Sequence, residues 1–587
     1  MKRKTHLASM FLLISLSLTL APALRALTQS SGNGNANRNN EPKDPCEQAL
    51  TPPGNANGLH KRCEAVGIGG GAAKGDFNGD GFADLAVGVP YEDEDGVNAV
   101  GGINVIYGSS TGLTATADQN FDETTFGFPF HSNDHFGWAL AAGDFNADGK
   151  SDLAISMPDY ESDFDARSNI LNQGVVFLID GSASGLDTST HRVLSSLNGK
   201  GGRRGAALVW ADFNGDSFGD LAIGMPDAKV KSDGLFCSPA SFDVANAGEV
   251  QVYFGSAQGL RDFGAQIFRQ GACDYTDGIG IGDSPEEGDH FGSALAAMNG
   301  GTFADLVIGT PNEDLALLDK QDAGMVQLIA GFGDGLGLHP EFNQSITQDT
   351  PGVGGAAETG DQFGRVLATG DFDGNGEDDL AVGIPFEDLL DNNASDGGAV
   401  QIFFSGSGTL IVNPNGSQFI SQSNIPNVSV EAGDRFGWAL AVGDFDSDGR
   451  DDLAIGSPGE NVGSITDAGM VTILYGSSTG PSLTRVQNWT QDSSGILDVA
   501  EPGDQFGYAL SSWNYGKTAH ADLAIGAPFE DVVSASTGTL QLDAGAVNVL
   551  YGSSTGLTST GNQFWTQDSP NINGTAQPGD RFGNSLY

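Results

Sequence analysis

A nine-residue acidic loop occurs five times in this chain, each time at the same position of a longer internal repeat. The first copy, Asp76-Phe-Asn-Gly-Asp-Gly-Phe-Ala-Asp84, has Asp or Asn at positions 1, 3 and 5 and Asp at position 9. The other copies span residues 144–152, 212–220, 371–379 and 444–452. A short apolar segment of the type Asp-Leu-Ala-Ile-Gly follows every copy. Loops in register with strands restrict the chain to an array or ring of equal units.

The repeat has a period of about 70 residues. A Phe-Gly pair begins eight residues before the loop position in most units, and Ile68-Gly69 and Arg204-Gly205 replace it in two. From one pair to the next, the distances along the chain are 68, 68, 87, 72, 73, 70 and 76 residues. Each unit contains four short apolar or alternating segments separated by Gly, Pro and Ser turns. No long segment has the 3.6-residue period of a helix. This pattern predicts an almost all-β chain built as a propeller or array of four-stranded units.

The acidic loops have the composition of a calcium site. Alternating oxygen side chains around a Gly turn, together with the carbonyl of position 7, supply the hard ligands that calcium requires. An EF-hand is excluded because position 12, which needs Glu, is an apolar Val or Ile inside the next strand. We predict about five structural calcium ions. The predicted ligands are Asp76, Asn78, Asp80, Phe82, Asp84; Asp144, Asn146, Asp148, Lys150, Asp152; Asp212, Asn214, Asp216, Phe218, Asp220; Asp371, Asp373, Asn375, Glu377, Asp379; Asp444, Asp446, Asp448, Arg450 and Asp452.

The order Phe-Gly, Asp-x-Asx-x-Asx-Gly-x-x-Asp and Gly-x-Pro resembles the FG-GAP repeat of integrin α-subunit propellers and of many secreted bacterial proteins. The resemblance covers about 520 of the 587 residues. It implies a seven-bladed β-propeller of four-stranded antiparallel blades, with calcium in the loop between the first two strands of some blades, opposite the ligand-binding face. The units begin near residues 68, 136, 204, 291, 363, 436 and 506. Residues 581–587 either overlap the closure of the ring or begin an eighth, truncated unit.

The units that depart from the loop pattern refine this prediction. The unit containing Met298–Asp305 and the unit containing Trp513–Asp522 keep the final Asp but lose the alternating oxygens, so we expect no ion there. The third loop has Ser217 where the others have Gly at position 6, which often requires a positive φ angle. Its site is complete in ligands but is expected to be weaker.

The composition favours an exported protein. Residues 1–26 have the basic, apolar and small-residue regions of a secretory signal peptide, and its short basic form favours a bacterial host. Residues 27–65 are predicted to be a flexible leader and residues 66–587 the repeat domain. Two local disulfides, Cys46–Cys63 and Cys237–Cys273, are the simplest of three pairings. The formal charge of −50 argues against a nucleic-acid partner and favours a soluble monomer.

Three further groups of residues leave alternatives open. A Glu-Asp pair follows the Pro turn in four units. These pairs either form an anionic rim for cationic or calcium-bridged ligands or are solvated turn residues: Glu92-Asp93, Glu313-Asp314, Glu387-Asp388 and Glu530-Asp531. The Asp two residues before each Phe-Gly pair is expected to cap a turn. Trp138 and Trp438 are interpreted as core or channel lining rather than sugar platforms, and His131 and His135 as non-ligands.

The sequence therefore predicts a secreted or cell-surface, calcium-binding propeller that recognises an extracellular protein or polysaccharide and is not an enzyme. No second apolar stretch of membrane-spanning length follows the signal segment. An extracellular calcium-dependent lyase or hydrolase on the same scaffold is the alternative. No protease, P-loop or Cys/His nucleophile motif is present in the sequence. The two functions differ in whether acidic or basic groups with shifted pKa values converge at the mouth of the ring.

Overall fold

A computed structural model describes most of the repeat domain. The described residues are 75–94, 96–161, 173–195, 201–231, 243–261, 264–271, 279–299, 303–315, 320–389, 394–406, 411–534 and 538–587. The predicted signal peptide, the leader, Ile68-Gly69 and all four cysteines lie outside these ranges, so the disulfide and export predictions are untested. Within them, no helix is both long and apolar enough to cross a membrane.

Seven β-sheets form the blades of a propeller, as the sequence predicts. Strands are numbered in chain order. Blade 1 contains β1 (Leu85–Val89), β2 (Gly102–Tyr107), β3 (Thr114–Phe121) and β33 (Ser585–Leu586). Blade 2 contains β4 (Leu140–Gly143), β5 (Asp152–Met157), β6 (Val175–Ser182) and β7 (Gly185–Ser195). Blade 3 contains β8 (Ala207–Ala211), β9 (Asp220–Met225), β12 (Glu249–Tyr253), β13 (Gln266–Gln270) and β14 (Ile279–Ile281).

The remaining four blades repeat the same order. Blade 4 contains β15 (Ala294–Asn299), β16 (Ala304–Thr310), β17 (Met325–Phe332) and β18 (Gly337–Ile346). Blade 5 contains β19 (Val366–Gly370), β20 (Asp379–Ile384), β21 (Ala399–Ser405) and β22 (Val412–Ser421). Blade 6 contains β23 (Ala439–Gly443), β24 (Asp452–Ser457), β25 (Met470–Leu474) and β26 (Val486–Trp489). Blade 7 contains β27 (Ala509–Trp513), β28 (Asp522–Ala527), β31 (Ala546–Tyr551) and β32 (Thr558–Trp565).

The described residues also include two short hairpins, two 3₁₀ turns and an additional strand in blade 3. Two small hairpins pair β10 (Val230–Lys231) with β11 (Asp243–Val244), and β29 (Val532–Val533) with β30 (Leu540–Gln541). The described helical segments are two 3₁₀ turns, Glu123–Phe126 and Gln422–Asn424. In blade 3, β14 pairs with β13 in parallel and extends the sheet to five strands.

The hydrophobic core is divided among the interfaces between blades. The second and third strands of each blade are buried on both faces, because each face packs against a neighbouring blade. The Phe of every Phe-Gly pair is fully buried in one of these interfaces. In blade 3, Arg204 takes that position, where its guanidinium donates to Gln251 Oε1 at 2.9 Å and Tyr253 Oη at 3.3 Å. The outer strands alternate between buried and exposed residues, as the polar fourth segment predicts.

The C-terminal segment closes the ring. Strand β33 forms the innermost position of blade 1 by pairing antiparallel with β1, and Tyr587 and Ala86 exchange two backbone hydrogen bonds of 3.0 Å. Phe582 packs between blades 7 and 1. This result decides between the two sequence-based alternatives for residues 581–587: the segment completes blade 1 and starts no eighth blade.

A repeated side-chain bond links the outer strands of successive blades. Gln119 of blade 1 donates to the Leu186 carbonyl of blade 2 at 3.0 Å, and Gln563 of blade 7 donates to Leu113 of blade 1 at 2.9 Å. Gln266, Gln344, Gln418 and Gln487 bridge four other interfaces in the same way, and Arg192 bridges blades 2 and 3. We call these seven bonds the outer latch. The sequence signal for the latch, which was missed, is a Gln-x-x-x-Gln pattern in the fourth segment of five units, beginning at Gln266, Gln344, Gln418, Gln487 and Gln563.

Candidate functional site

The five acidic loops share one hydrogen-bonding geometry. In each, the first Asp accepts the backbone N–H of position 5 on Oδ1 at 2.9–3.1 Å and that of position 6 on Oδ2 at 2.8–3.0 Å. The side-chain oxygen of position 3 accepts the N–H of position 5, and that of position 5 accepts the N–H of position 7. These consecutive Asx turns point the side-chain oxygens toward the inside of the loop.

The Asp at position 9 joins the loop to the sheet. Its Oδ2 accepts the N–H of position 2 at 2.8–3.2 Å, and its Oδ1 accepts an N–H within two residues of the end of the third strand at 2.8–2.9 Å. Burial raises the pKa of Asp84, Asp152, Asp220 and Asp452 to about 8, with the neighbouring carboxylates adding to the shift. Several carboxylates therefore lie close together in each loop, and basic side chains contact some of them in two loops: Lys150 lies 3.6 Å from Asp148, Arg450 lies 3.5 Å from Asp448, and Arg485 contacts Asp446.

Backbone conformation explains the small residues of the loop. Position 6 has φ between +87° and +94° in the four loops with Gly, and Ser217 has φ +70° in the third. Position 4 is also left-handed, with Ala147 at +56° and Ser447 at +55° among three glycines. The positive φ angle of Ser217 agrees with the sequence prediction. The positive φ angle at position 4 was not predicted, because Ala and Ser replace Gly there in two loops.

In two loops the carboxylates converge closely. One oxygen each from Asp371, Asp373 and Asp379 lie within 4.8 Å of one another, as do those of Asp444, Asp446 and Asp452. Ligands 2.3–2.6 Å from a common calcium ion fall within this separation. The trio contains positions 1, 3 and 9, and Asp448 at position 5 lies outside it. The other three loops have Asn at position 3, so an amide oxygen replaces one carboxylate there.

The two atypical units lack this oxygen arrangement where they are described. In blade 7, Asp522 keeps the structural bonds of position 9, accepting from Tyr515 and Gly552 at 2.9 Å. Lys517 occupies position 4, and its ammonium lies 3.5 Å from the centre of the Tyr551 ring. In blade 4, Asp305 accepts from Gly331 at 2.8 Å, while residues 300–302 lie outside the described ranges. The final Asp thus has a role in the sheet that needs no ion.

The glutamates of the Glu-Asp pairs that follow the Pro turns form neither a rim nor a solvated turn. Both interpretations made from the sequence are wrong for them. Glu92, Glu313, Glu387 and Glu530 are at most 9% exposed. A Gln from the preceding blade donates to each: Gln348 Nε2 lies 2.6 Å from Glu387, and Gln491 Nε2 lies 2.7 Å from Glu530. Glu460 of blade 6 has the same environment.

The cause of this error is that Gly-x-Pro-x-Glu leads into the interface between blades rather than out of the ring. Burial raises the pKa of Glu313 and Glu530 to about 9 and that of Glu92, Glu387 and Glu460 to about 8, with a neighbouring Asp increasing the shift. The Asp residues that follow cap the next turn: Asp93 accepts from Ala99 at 2.8 Å, and Asp531 accepts from Asp543 at 3.0 Å.

The Asp before each Phe-Gly pair caps a turn in five blades, as predicted. Asp289, Asp361, Asp434, Asp504 and Asp580 each accept the N–H of the residue three positions earlier at 2.6–2.7 Å. In blade 2, Asp134 instead lies 3.3 Å from the Nδ1 atom of His131.

The two histidines of blade 2 contact different carboxylates. His135 Nδ1 lies 2.9 Å from Asp159, whereas His131 faces Asp134. The two imidazole rings are therefore paired with separate carboxylates and do not share a common partner. Trp138 and Trp438 are half-buried at the start of the inner strands, where each contacts an arginine.

Comparisons with known proteins agree with the fold. Residues 69–103, 136–165, 363–403 and 436–474 match the FG-GAP repeat. These four matched segments lie in blades 1, 2, 5 and 6 of the propeller.

Two integrins are among its relatives. Integrin alpha pat-2 of Caenorhabditis briggsae is 30% identical over 278 residues, 44% of this chain and 18% of that protein. Integrin alpha-PS2 of Drosophila melanogaster is 33% identical over 174 residues, 29% of this chain and 10% of that protein. An enzyme is also similar: the phosphatidylinositol-glycan-specific phospholipase D of Bos taurus is 34% identical over 195 residues, 32% of this chain and 22% of that protein. The match thus covers between 10% and 22% of the length of these three relatives, all of which are animal proteins.

Proposed function

We propose that this FG-GAP propeller is an exported recognition module whose loops bind about five structural calcium ions. The repeated loop geometry is the observation that carries the proposal. In five separate segments the same backbone hydrogen bonds orient the side-chain oxygens of positions 1, 3, 5 and 9. In the fourth and fifth loops the carboxylate oxygens of positions 1, 3 and 9 are close enough to one another to bind a common calcium ion. The ligands are those predicted from the sequence in each loop.

Calcium would act first on stability. In blades 2, 3, 5 and 6 the loop connects the first strand to the second, and its clustered carboxylates repel one another. An ion present at about 100 times its dissociation constant stabilises the folded state by roughly 2.7 kcal/mol per site. Five sites of that strength are comparable with the whole stability of an ordinary domain.

The test is a calorimetric calcium titration of the chelator-stripped protein, with a melting curve at each step. We expect about five bound ions and a large rise in melting temperature; a melting temperature indifferent to chelator contradicts the proposal. The double variant Asp446→Asn, Asp448→Asn should bind about one ion fewer or more weakly, because affinity follows the charge of the ligands. Asn occurs naturally at both positions in other loops, so the turns themselves should tolerate it.

A matched control separates ion binding from loop structure. Asp522→Asn alters the equivalent final Asp of blade 7, which accepts two backbone N–H groups in a loop without the ligand pattern. We expect this variant to melt at lower temperature without a change in the number of bound ions. A fall in ion number in Asp522→Asn would show that the loop pattern does not identify the sites.

Recognition rather than catalysis is proposed for the opposite face. The similarity to phospholipase D covers 22% of that enzyme and therefore does not carry its activity to this chain. The buried glutamates with raised pKa values lie in interfaces between blades and are at most 9% exposed. Turnover of an acidic polysaccharide or a phosphoester by the calcium-loaded protein would favour the enzyme alternative.

A further inference from the structure

Six half-buried aromatic residues gather at the end of the blades opposite the acidic loops. They occupy two positions of the repeat, the residue after Phe-Gly or its equivalent and the residue after the Pro of Gly-x-Pro. In blades 2, 3, 5 and 6 the first and second strands are antiparallel and joined by the acidic loop, and the first two strands of blades 1 and 7 also pair antiparallel, so both positions lie at the other end. These residues are Tyr91, Trp138, Phe386, Trp438, Tyr508 and Phe529.

Four arginines lie over these rings. The Arg203 guanidinium carbon is 5.0 Å from the centre of the Trp138 ring. Arg365 and Arg435 lie 5.2 Å and 5.4 Å from the Trp438 ring. Arg581 lies 4.3 Å from the Tyr91 ring and 4.7 Å from the Phe529 ring.

The contacts run continuously from blade to blade. Tyr508 joins Trp438 at 5.5 Å and Phe529 at 5.8 Å between ring centres, and Tyr91 joins Trp138 at 6.4 Å. The ten side chains thus form one arc across blades 5, 6, 7, 1, 2 and 3, which we call the arginine–aromatic mouth. Its charge is opposite in sign to that of the anionic rim, which was one of the two alternatives for the Glu-Asp pairs.

Most of its positive charge is not neutralised. Arg203 pairs with Asp159 at 2.8 Å. Among the residues that the structure describes, Arg365, Arg435 and Arg581 have no carboxylate oxygen within 4.0 Å, although the chain has 76 acidic residues. The Nε atoms of Arg435 and Arg581 are buried without a hydrogen-bond partner. Burial lowers the pKa of Arg365, and the neighbouring Arg435 adds to that effect. An anion in the mouth would relieve both costs.

We propose that the arginine–aromatic mouth binds a polysaccharide that carries carboxylate groups, such as a chain of uronic acids. This inference rests on the recognition role proposed above and assigns the ligand class to it. Guanidinium groups bind carboxylates through paired, charge-assisted hydrogen bonds. The intervening rings offer large, rigid apolar area beside those charges. A row of cations over six blades suits a ligand whose anions repeat along its length.

The balance of donors and acceptors favours a polysaccharide over an acidic peptide. The arginines contribute only donors, and a buried peptide brings one N–H per residue that itself needs an acceptor. The nearby carboxylate Asp159 is already occupied by Arg203 and His135. Uronic acid units bring carboxylates, ring oxygens and hydroxyls that accept from the arginines. Each hydroxyl is also a donor, but its O–H rotates and can turn to water or to a neighbouring sugar oxygen, which a peptide N–H of fixed direction cannot do.

The experiment measures binding of trigalacturonate, neutral galactotriose and triglutamate to the calcium-loaded protein by calorimetry. We expect binding of trigalacturonate alone. Arg435→Gln with Arg581→Gln should weaken it by about a hundredfold, since each lost charged hydrogen bond costs about tenfold in affinity. Arg261→Gln is the matched control, because Arg261 is exposed on the third-to-fourth strand hairpin at the loop end.

Each outcome decides the proposal. Equal affinity in the double variant, or no binding of trigalacturonate by a protein that takes up its calcium normally, overturns the ligand assignment and leaves the calcium-dependent module intact. Binding of triglutamate in place of trigalacturonate overturns the polysaccharide class. Failure to bind calcium instead contradicts the function proposed above. Should the double variant not fold, Arg435→Lys keeps the charge but loses the paired donors, and unchanged affinity in that variant also overturns the proposal.

Discussion

At the scale of single residues, positive φ angles decide which substitutions the acidic loops tolerate. Position 6 requires a left-handed backbone, and Ser217 adopts it at the cost that any residue with a Cβ atom incurs. A Cβ atom at Gly149 would meet no neighbouring atom within 4 Å, so the requirement there is conformational and not steric.

Replacing Ser217 with Gly should therefore stabilise the protein. The relief of strain, about 1–2 kcal/mol, is partly offset by the greater entropy of Gly in the unfolded chain, so the net gain is up to about 1 kcal/mol. Denaturant unfolding at fixed calcium measures it. Gly149→Ala in the second loop is the reciprocal control and should destabilise; a loss of stability in Ser217→Gly would show that its hydroxyl matters more than its backbone.

The buried glutamates predict a pH effect at the same scale. Burial raises the pKa of Glu387 from 4.5 to about 8, so the folded protein holds this proton up to a higher pH than the unfolded chain. The contribution of Glu387 is therefore most favourable below about pH 4.5 and is lost as the pH rises toward 8. Asp361, Glu358 and Asp388 add to the shift, while the Gln348 bond opposes it.

Glu387→Gln should remove this dependence. Its amide oxygen can still accept from Gln348, so we expect the variant to match the parent near pH 4 and to exceed its stability by at least about 1 kcal/mol at pH 8.5. Melting curves over that range test it. Glu287→Gln, at an exposed glutamate that does not contribute to the shift, is the control; parallel pH profiles for Glu387→Gln and the parent would show that Glu387 ionises normally.

At the scale of elements, neighbouring blades are joined by apolar faces and by two kinds of polar bridge. The outer latch crosses all seven interfaces, and the buried Gln–Glu pair crosses five of them. In the latch, Gln344 donates to the Val412 carbonyl at 2.9 Å and accepts the Ile411 N–H at 2.9 Å. The bridges therefore fix the register between adjacent outer strands.

Gln344→Ala should cost about 1–3 kcal/mol, because it leaves a partly buried backbone N–H and carbonyl without partners. Equilibrium unfolding of the calcium-loaded protein measures the loss. Ser345→Ala, an exposed neighbour on the same strand, should change stability by less than about 0.5 kcal/mol. Equal effects of the two substitutions would mean that the latch contributes nothing specific.

At the scale of the whole molecule, closure of the ring depends on the last residues of this sequence. Tyr587 donates to the Ala142 carbonyl at 2.7 Å, accepts from Trp210 Nε1 at 2.9 Å and lies 5.6 Å from the Trp513 ring. These contacts connect the closing strand of blade 1 with blades 2, 3 and 7.

Tyr587→Phe should destabilise by about 1–3 kcal/mol because it removes both hydroxyl bonds and keeps the ring. Truncation after Asp580 removes β33 and Phe582 and should broaden or abolish the cooperative transition measured by calorimetry. A truncated protein that unfolds as sharply as the parent would show that blade 1 does not need its fourth strand.

The sequence by itself determined the period, the four-stranded unit, the seven blades and the five acidic loops, because each depends on local spacing of Gly, Asp and apolar residues. It did not determine the closing strand, the burial of Glu92 and its equivalents, the outer latch or the arginine–aromatic mouth. Those features join residues that are far apart in the chain, such as Arg581 and Tyr91, which are 490 positions apart. Only the closed ring brings them together, since their energies depend on burial and charge between blades rather than on neighbours in the chain.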